Sequence, residues 1–146
     1  MDFFNSMQIS SSALSAERTR MNLISSNLAN ANSTRTAEGG PYKRKDAVFA
    51  ATQTGETFRA AMDRMRKGGS PSGVQVTQIV EDQNPPRLQY DPSHPDANAE
   101  GYVALPNVNV VEEMADMIAA TRAYEANVTA VQAAKNMALK TLELGK

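Results

Sequence analysis

The sequence predicts a mainly α-helical protein in which two long terminal helices enclose a small β-containing insert. Apolar residues recur every three or four positions near both ends of the chain, glycine and proline concentrate in the middle, and only 5% of the residues are aromatic. A chain of 146 residues has the size of one domain. We expect an N-terminal helix in 1–32, an irregular β and loop insert with a Pro-rich part in 33–106, and a C-terminal helix in 107–146. The helices are expected to pair in a coiled-coil-like way.

The N-terminal segment carries a narrow apolar stripe. The stripe has eight positions that are alternately four and three residues apart, and this spacing keeps their side chains on one helix face. Six of the eight residues are apolar. Neither glycine nor proline occurs before Gly39, and the stretch ends in an asparagine-rich run that favours a helix end. This N-terminal stripe consists of Phe3, Met7, Ser10, Leu14, Glu17, Met21, Ile24 and Leu28.

A second stripe follows the C-terminal segment, and Ile118 and Leu139 broaden it. Asn109 and Glu112 form a predicted capping pair at the start of this helix. Since neither glycine nor proline interrupts 107–144, we expect a helix of about 50 Å, far longer than the average of about 11–12 residues. This C-terminal stripe consists of Val110, Met114, Met117, Thr121, Tyr124, Val128, Val131, Lys135, Ala138 and Leu142.

The residue pattern in the middle of the chain predicts short strands and turns. Alternating β-branched residues favour a strand within 74–80, and a weaker strand is expected in 42–49. Residues 57–67 could form a short helix, which Gly68-Gly69 would end. The Pro-rich stretch 84–106 is expected to be an extended loop pinned by its neighbours.

Composition excludes several classes of function. A net charge of −1 gives no reason to expect a nucleic-acid partner. A chain without cysteine has no disulfide and no thiolate metal site. We expect no direct membrane insertion, because no run of about 18 apolar residues occurs. The first 30 residues lack the pattern of a secretory signal, so we expect a cytoplasmic protein or export without a cleaved signal.

The single histidine, His94, does not predict catalysis. Its serine and aspartate neighbours in 91–96 are adjacent in a Pro-rich sequence, where a base and a nucleophile do not converge. The glycine pairs at 39–40 and 68–69 lack the Gly-Lys-Ser/Thr pattern of a phosphate loop. We therefore predict no catalytic, metal-binding or cofactor-binding residue, no cofactor and no small-molecule substrate.

The two stripes allow three interpretations. They could form the core of one antiparallel helix pair, or they could pack laterally against neighbouring copies. The polar residues Ser10, Glu17, Thr121 and Lys135 argue against a fully dry two-helix core, and polar residues at such positions often specify register or partner. Attachment to a membrane surface fits poorly, because neither helix face is rich in Lys or Arg.

Four separated motifs resemble a known family. The run 25–33, Ser-Ser-Asn-Leu-Ala-Asn-Ala-Asn-Ser, is similar to the signature of bacterial flagellar rod and hook proteins, although Gly40-Pro41-Tyr42 stands in place of the turn that usually follows it. The stretch from Pro106 to Asn127, the ending 139–145 and the loop 90–103 resemble proximal rod proteins of that family.

The resemblance implies a structural subunit of the flagellar basal-body rod. Its terminal helices would form an inner, D0-type domain that lines the axial channel, assembles helically and transmits torque. The implied partners are other copies of the chain, other rod proteins, and export-gate and MS-ring components. The implied location is the periplasmic rod of the basal body, reached through the flagellar type III export apparatus without a cleaved signal. The alternative is a helical adaptor or chaperone-like module that holds a single partner.

Three groups of residues follow as candidate sites. The loop before the last helix contributes Tyr90, His94 and Tyr102, and the helix-end motif contributes Asn27, Asn30 and Asn32. The candidate assembly interface consists of Met7, Leu14, Met21, Ile24, Leu28, Val110, Met114, Met117, Ile118, Tyr124, Val128, Val131, Leu139 and Leu142.

Overall fold

Two long helices and four strands form in the computed structural model, which describes residues 3–52, 62 and 73–144. Helix α1 is Phe3–Ala29 and helix α2 is Val110–Leu144. The strands are β1 Lys45–Ala51, β2 Val74–Glu81, β3 Arg87–Tyr90 and β4 Tyr102–Leu105. Strands β1 and β2 pair in one two-stranded sheet, and strands β3 and β4 pair in another. The predicted fold class is confirmed, because the two long helices lie at the ends and a small β insert lies between them.

The chain divides into two compact units. The first unit is Met1–Thr19, Val48–Gln78 and Thr121–Lys146. The second unit is Arg20–Ala47 and Ile79–Ala120. Both helices contribute residues to each unit, as do β1 and β2, so neither unit is a continuous piece of sequence. The predicted segments 1–32, 33–106 and 107–146 describe the elements along the chain, and their status as domains stays a prediction.

The N-terminal stripe is the shielded side of α1. Each of its members from Met7 to Leu28 is buried or half-buried, including the polar Ser10 and Glu17, while the Phe3 side chain lies outside the described residues. Ala16 and Ile24 are among the fully buried apolar residues. Because steps of three and four keep residues on one helix face, the predicted stripe lies together within this shielded side.

The shielded side of α2 is offset by one residue from the predicted stripe at three positions, where Glu113, Ala120 and Ala134 are buried instead of their neighbours. Its buried or half-buried residues include Glu113, Met117, Ala120, Tyr124, Asn127, Val131, Ala134 and Ala138. The predicted stripe shares Met117, Tyr124, Val128, Val131 and Ala138 with the shielded side, whereas its members Val110, Met114, Thr121, Lys135 and Leu142 are exposed. The predicted stripe followed a fixed spacing of four and three residues, whereas burial in the helix also includes the small Ala120 and Ala134 and the hydrogen-bonded Glu113.

Of the two residues predicted to cap the start of α2, Asn109 is confirmed as a capping residue. The Asn109 side-chain oxygen accepts a hydrogen bond from the Val111 amide at 3.1 Å, as an N-cap residue does. The acidic residues of the first turn, Glu112 and Glu113, lie where the helix dipole favours negative charge. Of these two, Glu113 is the buried one.

The insert contains more β structure than predicted. Strand β2 confirms the stretch within 74–80, and β1 begins three residues later than the predicted 42–49. The short helix predicted in 57–67 falls outside the described residues, apart from residue 62.

The expectation of an extended loop in 84–106 is wrong, because β3 and β4 pair there as an antiparallel ladder from Arg87↔Leu105 to Tyr90↔Tyr102. The prolines of this stretch lie before, between and after the two strands, so none of them removes a donor from the ladder.

A turn-rich connection joins β3 to β4. The Asp91 amide donates to the Gly101 carbonyl at 2.9 Å, and the Asn98 amide donates to the Tyr102 carbonyl at 2.9 Å. Hydrogen bonds from the Ser93 hydroxyl and amide lower the pKa of the Asp91 carboxyl. Gly101 has a φ of +82°, a left-handed conformation that favours glycine.

We predict that Gly101→Ala destabilises the chain more than Gly39→Ala does. Both positions have a left-handed φ, which costs about 1 kcal/mol for a residue with a Cβ. A Cβ at Gly101 would also lie 2.9 Å from a Tyr90 ring carbon and 3.2 Å from the Pro92 Cβ, whereas one at Gly39 meets nothing within 4 Å. Urea unfolding of the two variants measures the difference, and equal losses would contradict the prediction.

Candidate assembly site

Asn27, from the asparagine-rich end of α1, is the centre of a buried polar cluster in the second unit. Its side-chain amide donates to the Lys45 carbonyl at 2.9 Å and to Glu113 Oε2 at 3.0 Å. Its Oδ1 accepts from the Tyr42 hydroxyl and from the Lys45 amide, each at 2.9 Å. The residue is 1% exposed, and its bond to Glu113 is buried, whereas the three bonds to Lys45 and Tyr42 are part-buried. One asparagine thereby connects α1, β1 and α2.

Glu113 is the acidic member of the cluster and is also 1% exposed. Its Oε1 accepts a hydrogen bond from Arg44 Nε at 2.5 Å, while its Oε2 accepts from Asn27. A buried carboxylate is tolerated only when charge and hydrogen bonds compensate its lost hydration. Arg44 and Asn27 supply that compensation, one to each carboxylate oxygen.

Arg44 extends the cluster toward the surface. Burial opposes the charge of the Arg44 guanidinium, but its hydrogen bonds to Glu113 and Asp46 and the attraction of both carboxylates outweigh burial and raise the pKa of Arg44. The same guanidinium lies 3.3 Å from Asp46 and 3.7 Å from Asp116. Asp116 also faces Arg20 of α1 at 3.9 Å, with both side chains partly exposed.

These contacts set the direction and register of the helices within the second unit. Asn27 of α1 meets Glu113 of α2, and Arg20, earlier in α1, meets Asp116, later in α2. The two helix segments therefore run antiparallel there. Because the cluster's hydrogen bonds have fixed donors and acceptors, sliding either helix by one residue would leave the Glu113 carboxylate buried and unpaired.

The other residues of the helix-end motif act locally. The Asn30 side chain donates to the Ser26 carbonyl at 2.9 Å and accepts from the Ser33 hydroxyl at 3.1 Å, which ends α1 after Ala29. Asn32 is exposed. The predicted motif thus contains one buried connector, one helix-terminating residue and one surface residue.

Large apolar side chains cover the outer side of α2. In the second unit, Val111 is 75% exposed and Met114 and Ile118 are each 55% exposed, with Val110 beside them. In the first unit, Leu139 and Leu142 are exposed as well. Scattered exposed apolar residues are normal, but a run of them at helical spacing marks a surface that binds another molecule. Of the candidate interface residues, Val110, Met114, Ile118, Leu139 and Leu142 are exposed, whereas the rest are buried or half-buried.

The β3–β4 hairpin presents a second apolar surface. The Tyr90 and Tyr102 rings pair edge to face at 5.3 Å between centroids, and both side chains are exposed. Leu88, two residues from Tyr90 on the same strand, lies on the same side and is also exposed. The partner strand turns Val103 to the opposite side, where it is buried.

His94 forms hydrogen bonds within its own loop. Its amide donates to the Asp91 carbonyl at 3.2 Å, and its Nδ1 accepts from the Asp96 amide at 3.1 Å. Asp96 in turn accepts from the Thr34 hydroxyl at 2.8 Å, which attaches the loop to the segment after α1. Among the described residues there is no group of three or more potential metal ligands, and no helix is long and apolar enough to cross a membrane.

Sequence reasoning missed the partners of Asn27. Arg44 and Glu113 lie 69 positions apart in sequence, and no local spacing relates them. A charged residue on the inner side of a helix is invisible to a search for apolar spacing. The available signal was Tyr42, which belongs to the turn motif after the asparagine-rich run and donates to Asn27.

Comparisons with known proteins point to one family. The family model described as flagella basal body rod protein matches residues 7–35, and the model described as flagellar basal body rod FlgEFG protein C-terminal matches residues 99–144. The chain is 46% identical to the flagellar basal-body rod protein FlgC of Bacillus subtilis over 100% of both chains. It is 43% identical to FlgC of Borreliella burgdorferi over 94% of this chain and 93% of that one. It is 40% identical to FlgC of Salmonella typhimurium over 100% of both.

We predict that Glu113→Ala lowers the free energy of unfolding by about 3 kcal/mol, because it leaves Arg44 and the Asn27 amide without their buried acceptor. The matched control is Glu112→Ala, which removes the exposed neighbouring carboxylate and is expected to change stability by less than about 0.5 kcal/mol. Chemical denaturation measures both. Similar losses for the two variants would show that the buried carboxylate does not stabilise the fold.

Asn27→Asp is predicted to destabilise the chain at neutral pH and less so in acid. The new carboxyl cannot donate to Glu113, and burial beside that carboxylate raises its folded-state pKa. A group with a raised folded-state pKa stabilises the fold below its unfolded pKa and loses that contribution as the pH rises through the folded pKa. Thermal unfolding at pH 7 and pH 4 should therefore show a gap from the unsubstituted chain that narrows in acid. Asn32→Asp, at the exposed end of the same motif, is the control and should show no such gap.

Proposed function

The chain belongs to the FlgC family of flagellar basal-body rod proteins, and we propose that it assembles helically with other copies of itself and other rod proteins through its terminal helices. Its role is that of a structural subunit of the rod in the flagellar basal body. The family is a structural one and not a family of enzymes. The single observation that carries the assembly proposal is the row of large apolar side chains on the outer side of α2.

The proposed contact surface has two parts. One is the exposed face of α2, where Val111, Met114 and Ile118 would be removed from water by a neighbouring subunit. Burial of one such side chain contributes about 1.5–3 kcal/mol, so a few of them at each contact stabilise an assembly of many contacts. The other part is the apolar hairpin surface around Tyr90 and Tyr102. Since aromatic residues are enriched at protein interfaces, this surface suits contact with a second neighbour.

Head-to-tail contacts between identical copies generate an open helical assembly when their rotation does not close a ring. In such an assembly the helices, about 40 and 50 Å long at 1.5 Å per residue, would line the axial channel. The buried cluster of Asn27, Arg44 and Glu113 supports a role in torque transmission, because it ties both helices to β1 and resists sliding of one helix along the other.

We also propose a location, an export route and further partners for the subunit. The location is the periplasmic proximal rod, next to MS-ring and export-gate components, and the export route is the flagellar type III apparatus. Family membership supports these assignments. It also favours the rod subunit over the alternative of an adaptor or chaperone-like module that holds one partner.

We predict that Ile118→Glu prevents incorporation into the rod while the chain remains folded. The side chain is 55% exposed, so the charge stays hydrated in the free chain but would be buried in the proposed contact, where an unpaired charge costs several kcal/mol. The amount of chain in isolated basal bodies and the swimming of complemented cells measure the effect.

The matched control is Ala119→Glu, which places the same charge at the adjacent exposed position outside the C-terminal stripe. Its incorporation is expected to resemble that of the unsubstituted chain. Normal rods with Ile118→Glu would contradict the proposed contact. Truncation of residues 111–146 separates the two functions, since loss of the rod supports the subunit, whereas intact rods that lack one cargo support the adaptor.

A further inference from the structure

The part of α2 that belongs to the first unit carries a regular row of exposed side chains. Its members are separated by steps of four and three residues, which keep side chains on one helix face. All are exposed except Val128, which is half-buried. Leu142, which is 70% exposed, continues the row by one more step of three. We call this row the outer seam, and it consists of Thr121, Glu125, Val128, Gln132, Lys135 and Leu139.

The outer seam contains one acid and one base. Glu125 and Lys135 are both exposed, and neither forms an ion pair with another described residue. The ten positions between them correspond to about 15 Å along a helix, which is too far for a pair within one helix. Covering either charge is costly unless the covering surface brings the opposite charge. A molecule that covers the outer seam must therefore place a base near Glu125 and an acid near Lys135.

The outer seam is complementary to itself in one antiparallel register. If a second copy of α2 lies reversed along the first with its Lys135 opposite Glu125, two-fold symmetry also places its Glu125 opposite Lys135. In that register Val128 faces Gln132, because the members of both pairs are equidistant from residue 130. All seam positions therefore meet in phase, as heptad-spaced helices require. The third pair consists of Thr121 and Leu139.

We propose that the outer seams of two copies pair antiparallel about a two-fold axis at residue 130 and form a symmetric dimer of the free chain, with two Glu125–Lys135 ion pairs. The occupant of the seam is a second copy because the seam itself supplies both opposite charges at the required spacing. A parallel pair in register would place like charges opposite each other, which is unfavourable. The charges thus define both the direction and the register of the dimer.

This dimer goes beyond the proposed function and does not depend on it. A two-fold contact closes on itself, whereas the contacts proposed for the rod are head-to-tail and open. The dimer is therefore a state of the chain outside the rod. It would cover Leu139, and the same register places Leu142 opposite Ile118 of the second copy. Since these three residues belong to the candidate assembly interface, a copy would have to leave its dimer before it joins the rod.

Sedimentation of the purified full chain over a range of concentrations tests the dimer. We expect a monomer–dimer equilibrium that weakens when NaCl is raised from about 0.05 to 0.5 M, because salt screens exposed ion pairs. Glu125→Lys and Lys135→Glu should each weaken the dimer about tenfold, since each places like charges opposite each other twice. The two changes combined in one chain should restore it. Lys140→Glu, which makes the same charge change at an exposed position off the seam, is the control and should dimerise normally.

Disulfide cross-linking distinguishes the antiparallel dimer from a head-to-tail array. The chain has no cysteine of its own, so Glu125→Cys and Lys135→Cys can be combined in one chain and oxidised in solution. The antiparallel register predicts a covalent dimer that grows no further, because both thiols of each copy are used within one pair. A ladder of larger species would overturn the two-fold arrangement. Ala126→Cys with Asn136→Cys keeps the spacing at exposed positions off the seam, and equal cross-linking there would also refute the contact.

The outcomes separate the dimer from the function in the rod. A chain that stays monomeric at every concentration but enters basal bodies would overturn the dimer and leave the proposed function intact. A chain that dimerises but is absent from basal bodies would overturn the proposed function and leave the dimer intact. A combined charge-reversal variant that dimerises no better than either single variant would also refute the ion pairs.

Discussion

The second unit depends on a single buried carboxylate. Glu113 is held by Arg44 on one oxygen and by Asn27 on the other, and Asn27 is held in turn by the backbone of Lys45. Two helix segments and the first strand thus meet through groups that accept only one geometry. Apolar contacts alone would tolerate several alignments of helices rich in alanine. The polar cluster trades stability for a defined arrangement, which a repeating assembly needs in every copy.

The inner side of α2 contains small and polar residues beside apolar ones, and several large apolar residues lie on its outer side. Alanines, Glu113 and Asn127 share the shielded side with Met117 and Tyr124. The exposed residues include Met114, Ile118, Leu139 and Leu142. Small inward residues allow close approach of the neighbouring segment, as the complete burial of Ala120 illustrates. The larger apolar area is then available for contacts between molecules.

The sequence predicted elements better than contacts. Helix lengths, the shielded side of α1 and strand β2 follow from spacing and from the distribution of glycine and proline, which are local properties. The β3–β4 hairpin escaped prediction because its prolines flank the ladder without entering it. The Arg44–Glu113 pair escaped because it joins positions that are far apart in sequence. In α2, the spacing of four and three residues did not identify Glu113 and Ala120 as buried. The exposed residues of the candidate interface were predicted as part of a stripe, but spacing does not distinguish a core stripe from a surface one.

The exposed apolar side of α2 also affects how substitutions are tolerated. If substitutions were surveyed for their effect on the folding stability of the free chain, Val111 and Ile118 would tolerate most of them, since both side chains are exposed. The same positions would rank as intolerant in a survey of motility, if neighbouring copies cover them. In that case selection for the fold and selection for the assembly would act on opposite sides of one helix, and a pattern of variation across related chains would separate the two pressures.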